Sequence, residues 1–171
     1  MTGVIIVLRV IHIVSGIFWV GAALFTTFFL FPVLSAAGPA AGQIMAGLQQ
    51  RRFMTVMPLS ALLTMGAGLG LYWIVSGGAV LTYSTSRVGA TLAVSALLAV
   101  IGFLVGMFVM RPASMEAGRL GRELASGTEG ARDESKLGRL EHLQARAARA
   151  SLTMAILLLL AAVGMAAARY V

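Results

Sequence analysis

Four long stretches of this chain contain no Asp, Glu, Lys or Arg: Val10–Gln50, Phe53–Ser86, Val88–Met110 and Ala150–Ala168. A helix crossing a bilayer needs roughly 20 mostly apolar residues. Only helices and closed barrels satisfy every backbone hydrogen-bonding group inside lipid. The gaps between charges therefore predict four transmembrane helices at about 5–31, 56–76, 88–110 and 149–169. Pro32 is expected to close the first and Gly77-Gly78 the second. Arg111-Pro112 is expected to close the third, because the residue before a proline disfavours helix. Composition agrees: 59% of the residues are hydrophobic and 11% charged, against about a quarter charged in soluble domains. The expected fold is all-α, one polytopic membrane domain over residues 1–171, a four-transmembrane-helix bundle. The apolar N-terminal run lacks a basic leader and is long for a signal peptide, so it reads as a retained helix.

Basic residues set the expected orientation. The side that carries segments 32–55 and 111–148, here side B, holds ten with Arg149 included; the opposite face, side A, has Arg9, Arg87 and Arg169. Such a bias makes side B cytoplasmic and places both termini outside. Tyr72, Trp73, Tyr83 and Tyr170 fall near side A, as an interfacial aromatic belt does. The location implied is a bacterial inner membrane. The net charge of +7 belongs to these flanks and implies no nucleic-acid partner.

Small residues four apart let helix backbones approach closely in lipid. Gly66 and Gly70 form one such pair, and Gly102 and Gly106 another. Packing within one bundle is the first expectation, with homo-oligomerisation through one of these faces as the alternative. Segment 111–149 is the one substantial polar stretch, with six acids and eight basic residues. Leu120 and Leu124, then Leu137, Leu140, Leu143 and Ala147, make helical stripes. Two helical extensions of spans three and four are expected, joined near 126–130 with Thr128 as an N-cap, forming a cytoplasmic hairpin. This hairpin is a solvated charged face over a leucine seam, or a docking site for a protein partner. His142 lies on it beside Glu141 and Arg146, and reads as an exposed histidine.

The stretch "LRVIHIVSGIFWVGAALF", residues 8–25, places Arg9 and His12 within an apolar span. Arg9 can snorkel to side A. His12 lies roughly 10 Å below that surface at 1.5 Å per residue, too deep for its side chain to reach bulk water. It is expected to face the bundle interior. Three roles are open: a neutral imidazole bonded to a neighbouring hydroxyl or carbonyl, with Ser95 at similar depth; a ligand to haem b or a metal; or a proton or substrate contact. His12 and His142 sit on opposite sides, so one monomer cannot bracket a haem with both. Met165, and slightly deeper Met65, are the methionines at the level of His12. His/Met ligation is chemically reasonable, though methionine is also common core filler. The chain has no cysteine, and so no thiolate metal site.

In this stretch His12 is followed by the aromatic Trp19, a small-residue position and Gly21. It resembles the first helix of several small bacterial membrane families: the membrane domain of copper-resistance protein D, the HemJ-type protoporphyrinogen oxidases, and related uncharacterised four-helix proteins. "RRFMTVMPLSALLTMGAGLGLYW" and "LLLLAAVGMAAARYV" resemble the uncharacterised group most. The resemblance implies a four-helix bundle with His12 as its functional group. HemJ-type enzymes also carry an intramembrane lysine, whereas Lys136 is the only lysine here and lies in the hairpin. That departure speaks against the oxidase activity.

The sequence thus supports a non-catalytic accessory, scaffold or oligomeric subunit first. A haem- or metal-associated redox protein centred on His12 comes second, and small-molecule or ion transport third. For topology the expected outcome is sharp. With single cysteines introduced at Thr2 and Ser126, an impermeant maleimide added to intact cells labels position 2 only. Labelling at 126 but not at 2 reverses the orientation.

Overall fold

The computed structural model describes residues 2–37, 44, 47, 48, 50–126 and 134–171. Among the described residues every regular element is helical. These elements are α1 (Thr2–Phe25), α2 (Phe31–Ala36), α3 (Phe53–Val75), α4 (Val80–Tyr83), α5 (Arg87–Val105), α6 (Arg111–Ser126) and α7 (Glu134–Ala167). Four helices are long and apolar enough to cross a membrane: Thr2–Ala36, Phe53–Val75, Arg87–Leu124 and Glu134–Tyr170. They are called spans 1 to 4 below.

Neither Pro32 nor Pro112 ends its helix, contrary to the sequence expectation. Each follows a five-residue π turn, Thr26–Leu30 in span 1 and Gly106–Met110 in span 3. The Phe31 N–H donates to the Thr26 carbonyl and the Arg111 N–H to the Gly106 carbonyl, a spacing of five in both. Proline lacks an N–H, and its ring collides with the carbonyl four residues earlier. One wider turn relieves that collision without breaking the helix. A broken helix in lipid would leave several backbone groups unpaired, so the detour costs less than the stop. Helix α2 therefore runs on to Ala36, and α6 continues span 3 beyond its apolar part. Span 2 does stop at its glycines. Gly77 and Gly78 have φ of +60° and +83°, the left-handed region in which a side chain is disfavoured.

Span 1 packs chiefly along span 2, and span 3 along span 4. The two pairs meet at a cluster of Trp19, Ala23, Ala61, Ala99, Met154, Leu158 and Ala161. Alanines dominate because helix association in lipid depends on close van der Waals approach rather than on escape from water. The glycine pairs are used within the bundle. A Cβ at Gly102 would lie 3.3 Å from Leu158, one at Gly106 2.7 Å from the Met154 sulfur, and one at Gly70 3.2 Å from Leu8. Gly102 and Gly106 are buried, so that pair is not available for self-association. Gly66 alone of the four has open space around it.

Beyond the apolar part of span 3, α6 packs against the first turns of α7. Leu120 and Ala147 are buried there at 4% and 3% exposure. Leu140 and Leu143 are half-buried, while Leu137 is exposed. The Arg119 guanidinium grips Glu116 with two bonds of 2.7 and 2.9 Å and reaches Glu123 at 2.6 Å. Arg139 crosses from α7 to Glu116 at 3.1 Å. Such exposed pairs stabilise little; the apolar seam carries the contact. The expected connection near 126–130 and the Thr128 cap lie largely outside the described residues. His142, Glu141 and Arg146 are exposed.

Near side A, Tyr72 meets Tyr83 edge-on, with ring centroids 5.4 Å apart. The Tyr72 hydroxyl donates to the Gly89 carbonyl at 3.1 Å. Ser86 caps α5 by accepting from the Gly89 N–H at 3.1 Å. A Cβ at Gly89 would fall on the Tyr83 carbonyl, a backbone atom that cannot step aside. Gly89→Ala should therefore destabilise the bundle by at least the ~1–3 kcal/mol of ordinary overpacking, while Gly66→Ala leaves stability unchanged or slightly raised. Thermal melting of the two variants in mild detergent checks this. Equal melting temperatures would show that the α4–α5 turn does not matter to the bundle.

Candidate functional site

Two places bring polar groups together inside the bundle. The first surrounds His12, near side A. His12 Nδ1 lies 2.8 Å from the Thr64 carbonyl oxygen of span 2. A carbonyl only accepts, so Nδ1 is the donor in this bond. Thr64 Oγ1 lies 2.9 Å from Ser15 Oγ and 2.7 Å from the Ser60 carbonyl. Ser15 in turn donates to the Ile11 carbonyl. The imidazole rests on Gly68, where a Cβ would come within 2.8 Å of His12 Cε1. Ser60, Thr64 and Gly68 are spaced by four, so one small, polar stripe of α3 receives the histidine face of α1. Ser60 and Thr64 four apart, with the small Gly68 four further on, were the signal that marks this face, and the two GxxxG pairs obscured it.

Of the hydroxyl and thioether groups nominated beside His12, Ser95 has its bond elsewhere. Ser95, expected as a hydroxyl partner, is buried at 2% exposure and donates to the Thr91 carbonyl of its own helix. Its hydroxyl faces Gly164 of span 4, where a Cβ would displace it. The bond His12 makes is to a backbone carbonyl of the adjacent span instead. Met65 packs against the central cluster, and Met165 is half-buried on span 4. Trp19 is 5% exposed and meets Phe103 edge-on, centroids 6.3 Å apart. Arg9 is exposed, and Gly21 is exposed with nothing near its Cβ position.

The second place is a cavity of about 110 Å³ in the side B half, lined from all four spans. Its walls are almost wholly apolar. Trp19 and Phe103 form the inner end, and Met54, Met57, Met107, Met110 and Met154 line the flanks. Both π turns contribute, through Thr26 and Leu30 in span 1 and Gly106 in span 3. Wider turns of this kind often mark functional sites. At the side B end stand Arg111 and Ser114. Arg111 Nη1 donates to the Met107 sulfur at 3.4 Å, a weak acceptor. Arg111 Nε and Ser114 Oγ are buried and have no hydrogen-bond partner. Buried donors left unpaired cost about 1–3 kcal/mol each, more when charged. Reading Pro112 as a helix stop hid both residues, because it places Arg111 in a loop rather than on an inward helix face.

A second bond ties span 1 to span 4. Thr27 Oγ1 lies 2.7 Å from Ser151 Oγ and donates to the Ala23 carbonyl at 2.8 Å. Ser151 is fully buried. Among the described residues no three His, Cys, Asp or Glu side chains gather as a metal cluster. No protein-family model, curated protein or solved structure matches this chain.

His12 and Gly68 are two halves of one contact, which gives a clear expectation. His12→Ala and Gly68→Ala should each lower stability by roughly 1–3 kcal/mol through the lost bond and disturbed packing. The double variant should cost clearly less than the sum, because neighbours in direct contact are not additive. Thermal or denaturant unfolding of the four proteins measures the coupling, and strictly additive costs would refute it.

Proposed function

We propose that this chain is a non-catalytic subunit of a bacterial inner membrane, an accessory or scaffold protein that acts by holding other molecules. The supporting observation is how the intramembrane polar side chains are used. His12, Ser15, Thr27, Ser60, Thr64, Ser95 and Ser151 each bond to a helix backbone or to another side chain of the bundle. His12 and Ser15 tie span 1 to Thr64 of span 2, Thr27 ties it to Ser151 of span 4, and the other hydroxyls back-bond to their own helix rather than converging on a reacting centre. Side B then faces the cytoplasm, following the basic bias of its segments. The exposed charged faces of α6 and α7 offer a docking surface for a protein partner, and the open face at Gly66 is the remaining candidate for self-association. A photo-crosslinking amino acid at the exposed position 142, activated in native membranes, tests this reading. A discrete cross-linked protein band is expected. Adducts to nothing but random neighbours would reject the subunit role.

One observation favours a second reading, a haem- or metal-associated protein. His12 donates through Nδ1 to a carbonyl and leaves Nε2 free, the orientation that outer-shell bonds give to ligating histidines. The first-helix likeness to the copper-resistance protein D membrane domain and the HemJ-type group points to the same residue. The rest of a haem site does not fit. The cavity lies in the other half of the bundle, and His12 is not in its wall. The spectrum of the protein purified from its own membrane decides: a Soret band lost in His12→Ala would establish this second reading, and a colourless protein would remove it. Transport has less support, because no acid lies in any of the four apolar runs.

A further inference from the structure

We infer that the side B cavity is a binding site for an oxyanion carried on an alkyl chain, an anionic amphiphile drawn from the side B leaflet. This goes beyond the subunit role and does not depend on it. Three observations converge. The walls are apolar and rich in methionine, an adaptable side chain that moulds to irregular hydrocarbon. Their volume of about 110 Å³ suits a slender chain rather than a ring system. At the opposite end from Trp19, Arg111 Nε and Ser114 Oγ are two buried donors with no acceptor. No acid pairs with Arg111 among the described residues; the carboxylates of α6 are turned to Arg119 and Arg139.

Depth decides which end of the ligand goes where. Arg111 directly follows the charge-free run Val88–Met110, and Glu116 and Arg119 come one to two turns later. The guanidinium therefore stands at the boundary between hydrocarbon and headgroups, with the cavity beneath it. An amphiphile lying in its natural membrane orientation puts its charged group at Arg111 and its chain toward Trp19. A carboxylate or phosphate oxygen accepts from Nε–H and from the Ser114 hydroxyl, and both orphan donors are then satisfied. Charge-assisted bonds to a guanidinium are the strong class of hydrogen bond and favour planar oxyanions. Residues of both π turns line the cavity that the chain would fill.

Trp19 in the cavity wall makes the test direct. The full chain carrying Trp73→Phe, with Trp19 as its one tryptophan, is placed in phosphatidylcholine nanodiscs. Mid-chain dibrominated lipids are then added as quenchers: phosphatidylcholine, phosphatidylglycerol, or free dibromostearate. Trp19 is buried, so lipid passing around the bundle does not touch it. The expected result is saturable quenching by an anionic carrier at about tenfold lower mole fraction than by dibrominated phosphatidylcholine. Arg111→Gln should erase that preference, the order of effect expected for one charge-assisted hydrogen bond. Stronger quenching by phosphatidylglycerol names a phospholipid as the source; stronger quenching by dibromostearate names a fatty acid. A Trp19→Phe protein, reporting through the exposed Trp73, should be quenched equally by all three. Should Arg111→Gln fail to fold, Arg111→Lys and Ser114→Ala take its place, each expected to weaken the anionic preference several-fold. Equal quenching by anionic and zwitterionic carriers, no quenching of Trp19, or a preference unchanged in the Arg111 and Ser114 variants would each overturn the inference.

Discussion

Lipid supplies no hydrogen bonds, and most of this structure follows from that. A backbone or side-chain polar group inside the bilayer must find its partner in the protein or stay unpaired at a cost of several kcal/mol. The hydroxyls of Ser15, Ser60, Thr64, Thr27, Ser95 and Ser151 all find one, and so does one nitrogen of His12. Thr64 and Ser151 also bond across to span 1. The bonds of span 1 to span 2 and to span 4 come on top of the acceptors that Ser15, Thr27 and Thr64 find in their own helices.

The same constraint explains the prolines. In water, Phe31-Pro32 and Arg111-Pro112 would be good places to end a helix, since freed carbonyls would be hydrated. In spans 1 and 3 the chain instead adds one residue to a turn, and both helices continue. The two solutions are alike in detail: each π turn has five residues and each proline stands second after it. Spans 1 and 2 on one side and spans 3 and 4 on the other are thus built on a common plan. Small residues meet at comparable contacts, His12 on Gly68 and Ser95 on Gly164. Residues of both π turns line the cavity between the pairs.

Much of this was legible in the sequence. Charge-free runs of the right length gave four spans, and Gly77-Gly78 gave the end of span 2. The direction of His12 followed from its depth and short side chain, because nothing at that level in lipid could pair with it. What was not legible depended on register. The imidazole takes a main-chain carbonyl, and a carbonyl has no letter in the sequence. Ser95 matched His12 in depth, but depth says nothing about azimuth, and its hydroxyl turned to Gly164. The motif glycines misled in the same way. Gly66 and Gly70 share a spacing, but the first is open and the second packs on Leu8, while Gly68 between them receives the ring. Arg111 was lost to a local rule, the proline preference, which holds where water can hydrate a helix end.

The exceptions to the polar accounting are therefore informative. In a bundle where Ser15, Thr27, Ser60, Thr64, Ser95 and Ser151 all have partners, two buried polar groups without one stand together at one end of one cavity. A buried guanidinium nitrogen with no counter-ion is expensive, and an apolar residue at position 111 would remove the cost while keeping the helix. The pair makes physical sense if an acceptor arrives from outside the chain. His12 presents the opposite case. Its Nδ1 donor is satisfied by the Thr64 carbonyl, whereas at Arg111 a buried N–H of a cation has no acceptor. The two features also sit in opposite halves of the membrane, so a ligand at one does not compete for space with a ligand at the other. Weighed by unpaired charge, the side B cavity has the stronger claim to be where this protein meets another molecule.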